Sequence, residues 1–159
     1  MSDRKADKPH AQRRVRNSKA RHDYHILEVV ECGIELCGTE VKSLRAGQAR
    51  IDEAYARISD GQAYLVGANI SPYSHAADAM QHDPNRDRKL LLRRRQIEQL
   101  AVHVRQKGKT LIPLAIYFKR GWAKCEVGVA VGKRQYDKRQ AIRKREQQRE
   151  IGREMRRRR

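Results

Sequence analysis

A mainly β fold, a small antiparallel barrel with flanking helices and a disordered basic tail, is what this 159-residue sequence predicts. Three observations predict it. Short β-branched runs recur through the middle of the chain, punctuated by the turn-forming dipeptides Asp60-Gly61 and Arg120-Gly121. Arg93 to Lys107 is the one long segment with a helical apolar period. After Gly132 the apolar content falls while basic residues accumulate, which leaves too little apolar surface to order that segment by itself.

From Tyr24 the chain reads YHILEVVECGIELCG, which predicts a strand, a sharp bend at Gly33 and a second short strand. Thr39 stands at an N-cap position, Val41 and Leu44 share a face, and Gly47 suits the left-handed residue that ends a helix, so a short helix follows. Ala49 to Ser59 and Gln62 to Ser71 flank Asp60-Gly61 as an antiparallel pair. In its second arm, alternation places Tyr64, Val66, Ala68 and Ile70 on one face and Leu65, Gly67 and Asn69 on the other. Ser71 to Asp87, polar and without a period, reads as a long surface loop of the kind that often carries function.

Ile97, Leu100, Ala101 and Val104 recur at i, i+3, i+4 and i+7 as the core face of the main helix, which Gly108 closes. Thr110 to Lys119 and Trp122 to Val131 form a second hairpin, with Ala123, Cys125, Val127, Val129 and Val131 inward. Short antiparallel strands that outnumber the helices cover both their faces most economically by curling into an OB-like barrel of five or six strands. The chain thus divides into a basic arm over residues 1–21, a barrel core over 22–132 and a basic tail over 133–159.

Lys and Arg number 37 against 19 Asp and Glu, a net charge of +18. The arm carries +6 and the tail +9, leaving +3 for the core. Basic extensions on a nearly balanced core point to a polyanionic partner, nucleic acid first, because counterion release drives such binding without catalytic machinery. A membrane surface fits less well, since neither extension shows a broad apolar face, and no apolar run approaches the ~18 residues a span needs. No secretory signal is read, so a cytoplasmic protein is expected.

Three cysteines, Cys32, Cys37 and Cys125, predict no structural disulfide in such a compartment. Cys32 and Cys37, with His22 and His25 upstream, lack the second ligand pair of a zinc site, and each cysteine reads as a small buried strand residue. His22-Asp23 and His82-Asp83 look like metal-dependent phosphohydrolase pairs but lack the further ligands such sites require. No cofactor loop and no nucleophile with its base is present, so no enzyme, metal or cofactor is expected. In the tail, Glu146, Glu150 and Glu154 form a row beside Arg145, Arg149, Arg153 and Arg157, which makes it ready to become helical against a partner.

Five blocks occur in order: NSKARHDYHI (17–26), GIELCGTEVKSLRAG (33–47), HDPNRDRKLLL (82–92), GKTLIPLAIYF (108–118) and GKRQYDKR (132–139). Together they resemble the small protein B family, the SsrA-binding proteins of bacteria. The resemblance implies an OB-fold barrel that binds the tRNA-like part of transfer-messenger RNA and delivers it to stalled ribosomes, with no catalytic chemistry of its own. It implies an RNA surface containing Asn17, Glu31 and Leu91, with Lys19, Arg21, Lys42, Arg88, Lys89 and Lys124 nearby; His22 is a further candidate contact. It also implies a tail whose start, Lys133, Arg134, Tyr136, Asp137, Lys138 and Arg139, sits in the ribosomal decoding region. The tail's end, with Ile151 and Met155, would lie as a helix in the mRNA path. Elongation factor Tu on the same RNA is an implied partner, and a monomer is expected.

Particular residues carry their own readings beside the resemblance. A carboxylate such as Glu31 repels phosphates but accepts hydrogen bonds from base amino and imino groups in an unstacked loop. Leu91 alone reads as core; with the resemblance it is an apolar surface for an exposed base. Tyr136, in a charged stretch, suits stacking on a nucleobase. Arg93-Arg94-Arg95 reads equally as a solvated helix face or a contact to ribosomal RNA. Ser18 stands where the family usually has Lys or Arg, which weakens a phosphate contact there, and four terminal arginines make the ending more basic than the pattern requires. A ribosomal or general structured-RNA-binding protein is the alternative function.

Overall fold

Asp60 and Gly61 have φ values of 51° and 69°, and Arg120 and Gly121 have 52° and 81°. Two consecutive left-handed residues make the turn whose twist matches a two-residue hairpin; Asp60-Gly61 is a favoured pair for it, while at Arg120-Gly121 only the glycine is. The computed structural model describes residues 14–134, 139, 142–150 and 153. Along it run β1 (Val15–Arg16), α1 (Ala20–Asp23), β2 (Tyr24–Ile34), α2 (Gly38–Arg45), β3 (Ala49–Arg50), β4 (Tyr55–Ser59), β5 (Gln62–Val66), β6 (Asn69–Ile70), a 3-10 turn (Asp78–Met80), β7 (Arg88–Leu91), α3 (Arg94–Arg105), β8 (Lys109–Lys119) and β9 (Trp122–Gly132).

The fold is mainly β with flanking helices, as the sequence predicts. A seven-stranded antiparallel sheet runs in the order β1-β8-β9-β2-β7-β5-β4, and β3 pairs with β6 separately. The sheet curls until β4 comes alongside β8, but no ladder joins those two among the described residues, so the expected barrel is left open there. Leu44 of α2, Leu100 of α3 and Leu65, Leu90, Leu111, Ile116, Val127 and Val129 of the strands fill the interior. A smaller cluster, Ala20, Ile112 and Ala130, seats α1 against the outside of β8 and β9.

Several boundaries differ from the sequence reading. β2 runs straight through Gly33; its irregularity is a bulge between Ile26 and Glu28. Glycine at Gly33 instead allows a close approach, because a Cβ there would lie 3.1 Å from the Cβ of Leu91 on β7. The helix after it is capped by Cys37 rather than Thr39. Gly67, at φ +74°, breaks the second arm of the first hairpin and shifts its phase. Leu65 before it and Ala68 and Ile70 after it are therefore all buried, while Tyr64 and Val66, expected with Ala68 and Ile70, are only half-buried. Strand β7 was not anticipated, and Val104, expected in the core, is exposed because α3 turns only Ile97 and Leu100 fully inward.

The arm boundary expected after residue 21 cuts through α1. Val15 and Arg16 already pair with Ile116 and Ala115, and Ala20 is buried. Residues 142–150, within the tail expected to be disordered alone and helical against a partner, are helical with every side chain exposed. All three cysteines are free; Cys32 and Cys125 are buried cross-strand partners, but Cys37 is exposed at its cap rather than buried in a strand.

Candidate nucleic-acid interface

The two most distinctively spelled blocks, GTEVKSLR and HDPNRDRKLLL, fold against each other inside the protein. The Glu40 carboxylate is fully buried and accepts hydrogen bonds from Arg86 Nε at 2.9 Å and Nη2 at 2.6 Å, Arg88 Nε at 2.8 Å and the Cys37 N–H at 2.7 Å. Arg88 donates onward to the carbonyls of Ala68 at 2.6 Å, Arg86 at 3.0 Å and Pro84 at 2.8 Å. Burial by itself would raise the Glu40 carboxyl, but the Arg86 and Cys37 hydrogen bonds and the Arg88 charge hold it below the usual range. Burial lowers Arg88, against the pull of Glu40.

Arg88, expected on the RNA surface, is therefore corrected: its side chain is 0% exposed and its donors are spent on the fold. His82 joins the same clamp, because its Nε2–H donates to the Ile70 carbonyl at 2.9 Å and its Nδ1 accepts from the Thr39 hydroxyl at 2.8 Å. Asp83 accepts the Asn85 N–H at 2.9 Å in a local turn. The long loop is thus tied to α2, and this fixes where β7 begins.

From that anchor β7 presents Leu91 outward, 52% exposed. Leu91 pairs with Gly33, and Gly33 pairs with Lys124 on its other side. Directly paired residues share a face, and Glu31, two residues before Gly33, lies on it as well. Glu31, Lys89, Leu91 and Lys124 consequently line one groove of about 610 Å³, joined by Gln62 and Arg93. Tyr117, the partner of Lys124 on β8, donates its hydroxyl to Glu31. Lys119 Nζ reaches the same carboxylate at 3.2 Å. The Tyr117 hydrogen bond, then that of Lys119, hold the Glu31 carboxyl below its ordinary range, while burial and that carboxylate push the Tyr117 phenol up. Glu31 is thus an exposed, ionised acceptor at fixed position.

Sequence reasoning missed Tyr117 and Lys119. Their i, i+2 spacing on a strand was the available signal, but which strand they neighbour depends on register. Arg14 extends the same face, pairing with Glu126 and lying 4.6 Å from the centre of the Tyr117 ring.

The remaining candidates lie elsewhere. Lys19, Arg21 and His22 gather at α1, nine residues along β2 from Gly33, or roughly 30 Å at strand rise. Asn17 is tied into the fold there: its amide donates to the carbonyls of Ile51 at 3.2 Å and Pro113 at 2.9 Å and accepts the N–H groups of Lys19 at 3.1 Å and Ala20 at 2.9 Å. That uses both donors and both acceptor positions, so Asn17 shapes α1 instead of offering a free amide to RNA. Ser18 gives its N–H and hydroxyl to Asp52, both at 2.9 Å. Lys19 pairs with Glu53, and His22 with Asp23 at 2.9 Å.

Lys133 returns to this corner, its N–H donating to the Asp23 carbonyl and its Nζ to the Arg21 carbonyl, each at 2.8 Å. Lys42 sits 5.1 Å from the centre of the Tyr73 ring. Arg134 and Arg139 are exposed. Tyr136, Asp137, Lys138, Ile151 and Met155 lie outside the described residues.

Among the described residues no group of His, Cys, Asp or Glu is placed to hold a metal ion, and no helix is long and apolar enough to cross a membrane. A curled sheet with an open, mixed-charge face and basic extensions defines a binding module for a structured polyanion. The model of the SmpB protein family matches residues 14–157, and the chain belongs to that family. It is 51% identical over 147 residues to the SsrA-binding protein of Synechococcus sp. (strain JA-2-3B'a(2-13)), covering 92% of this chain and 96% of that one. It is 49% identical over 141 residues to the SsrA-binding protein of Acetivibrio thermocellus, covering 89% and 91%. A chain in a solved structure described as "tmRNA-SmpB: a journey to the center of the bacterial ribosome" is 48% identical, with a TM-score of 0.66 over 82% of this chain and 94% of that chain.

Proposed function

We propose that this protein binds the tRNA-like part of transfer-messenger RNA and delivers it to stalled ribosomes for trans-translation. The observation that carries this reading is the groove in which Glu31, Lys89, Leu91 and Lys124 converge, on a chain that matches SsrA-binding proteins over most of its length. An ionised carboxylate held by Tyr117 and Lys119 discriminates bases by accepting from their amino and imino groups. Leu91 offers an apolar surface to an unstacked base, and the lysines answer the flanking phosphates. Lys19, Arg21 and His22 at the α1 corner meet the RNA backbone farther along, and exposed Lys42 adds positive charge.

The tail reaches the ribosome. Lys133 to Arg139 meet the decoding region, and the following residues, with Ile151 and Met155, enter the empty mRNA path as a helix. Elongation factor Tu rides on the same RNA. The protein acts as a cytoplasmic monomer that contributes recognition and placement and catalyses no bond change.

This division of labour is tested by ending the chain after Arg134, which keeps the Lys133 contacts to α1. The shortened chain should bind the RNA as tightly as the whole protein and fail to support peptide tagging on stalled ribosomes. Gln148→Pro, inside the helical residues 142–150, should give the same split, since proline costs about 3 kcal/mol in a helix interior. Normal tagging by either variant would overturn the assignment of the tail.

A further inference from the structure

Trp122 is the only tryptophan in the chain, and it is 75% exposed. A side chain with so much apolar area is usually spent on a core or an interface, yet here the tight Arg120-Gly121 turn holds it at the start of β9, paired with Lys119. Strand alternation puts Trp122 and Lys124 on the same outward face as Leu91 and Glu31.

Between Trp122 and Leu91 lies a second groove of about 520 Å³, lined by apolar side chains that include Leu36, Val41 and Phe118. It shares Gly33, Leu91 and Lys124 with the groove that contains Glu31. Leu91 is therefore a ridge with a polar groove on one side and an apolar, tryptophan-walled groove on the other. The charged lining of this second groove is Glu35 and Lys124, and Arg45, whose guanidinium sits 5.3 Å from the centre of the Phe118 ring, adds a positive charge nearby.

We propose that Trp122 and this second groove seat an unstacked nucleobase of the same RNA, so that a loop is splayed across Leu91 with one base toward Glu31 and another stacked on Trp122. The inference rests on the reading that this sheet face binds transfer-messenger RNA, and it assigns the two grooves different tasks. Stacking on an indole is indifferent to base identity, whereas a fixed carboxylate selects among base edges. The Trp122 side therefore supplies affinity, and the Glu31 side supplies choice. Continuity with the Glu31 groove, through the shared Leu91 and Lys124, favours a nucleobase over an apolar protein segment.

Because Trp122 is the sole tryptophan, its emission reports on this groove alone. The full chain is titrated with the tRNA-like domain of transfer-messenger RNA while binding is measured independently by filter retention. Quenching that saturates together with retention is expected. Trp122→Ala should weaken binding roughly 5- to 100-fold, Trp122→Tyr should recover much of the loss, and Trp122→Leu, apolar but without a π face, should not. Thermal unfolding of these variants should match that of the parent, since the side chain is exposed, which separates lost binding from lost folding.

Retention without any change in emission, together with unaltered affinity of Trp122→Ala, would overturn the proposal. Normal RNA affinity with failed tagging would also overturn it by giving Trp122 to the ribosome, and loss of self-association would do so by giving it to a second copy. Absence of RNA retention by the parent chain would instead bring down the underlying reading of the sheet face, an outcome that the emission data alone could not mimic.

Discussion

Glu40 and Glu31 each meet two side-chain donors, yet one sits where water is excluded and the other where it is free to enter. Glu40 holds Arg86 and Arg88 inside the clamp between α2 and the loop before β7, with no exposed surface of its own. Glu31 takes Tyr117 and Lys119 on the open sheet, with its side chain 38% exposed. Removing a partner from a buried ion pair strands a charge in low dielectric, whereas an exposed pair contributes little to stability because solvent screens it and replaces the lost contacts. The same kind of pairing therefore serves folding in one region and leaves a charge available for recognition in the other.

The comparison breaks most severely at Glu40. Glu40→Gln turns an amide NH₂ toward arginine donors and leaves the buried Arg88 without a counter-charge, so unfolding in urea should show a loss of about 3–5 kcal/mol. An unchanged urea midpoint would remove the clamp from the account.

Acidification probes the same site. The Glu40 carboxyl is held below its unfolded value, so its stabilising contribution is complete above the ordinary carboxylate range, near pH ~4.3, and is lost as pH falls through the lower folded value. Urea midpoints followed from neutral pH into acid should fall more steeply for the parent than for Glu40→Gln. Parallel curves would mean that Glu40 does not carry the acid sensitivity.

Glu31→Ala should act in the opposite manner, leaving the urea midpoint in place while weakening the tRNA-like RNA roughly 5- to 100-fold, as expected for a lost base contact. If only bulk charge mattered, removing a carboxylate would tighten binding, so a titration at fixed salt decides by its sign. The smallest effect is expected at Gly33→Ala. Its Cβ would stand 3.1 Å from that of Leu91 and should push β7 outward, costing about 1 kcal/mol in stability and a few-fold in RNA affinity. Full RNA affinity in this variant would show that the Leu91 ridge need not sit so close to β2.

The two regions also differ in how far the sequence disclosed them. Both hairpin turns could be read from Asp60-Gly61 and Arg120-Gly121, since the glycine of each dipeptide takes left-handed backbone locally. Gly67 was equally visible as a glycine, but its effect on phase was not, because alternation presumes an unbroken strand. Strand β7, only four residues long between the polar loop and the main helix, has an extended form that depends on pairing with β2 and β5. Arg88 and Lys89 are adjacent basic residues, and only the sheet decides that the first is sealed against Glu40 while the second lines the groove.

The sequence by itself determined the local quantities: charge concentrated in the extensions, the turns, the apolar period of α3 and the family blocks, all of which depend on residues near one another in the chain. The tertiary structure alone decided which residues of those blocks face water. Thr39 meets His82 and Glu40 meets Arg86 and Arg88 across more than forty positions, while Glu31 finds Tyr117 and Lys119 across more than eighty. Whether each such pairing is buried or open is set by strand register and by how far the sheet curls, and these arise from the packing of the whole core rather than from the spelling of any one segment.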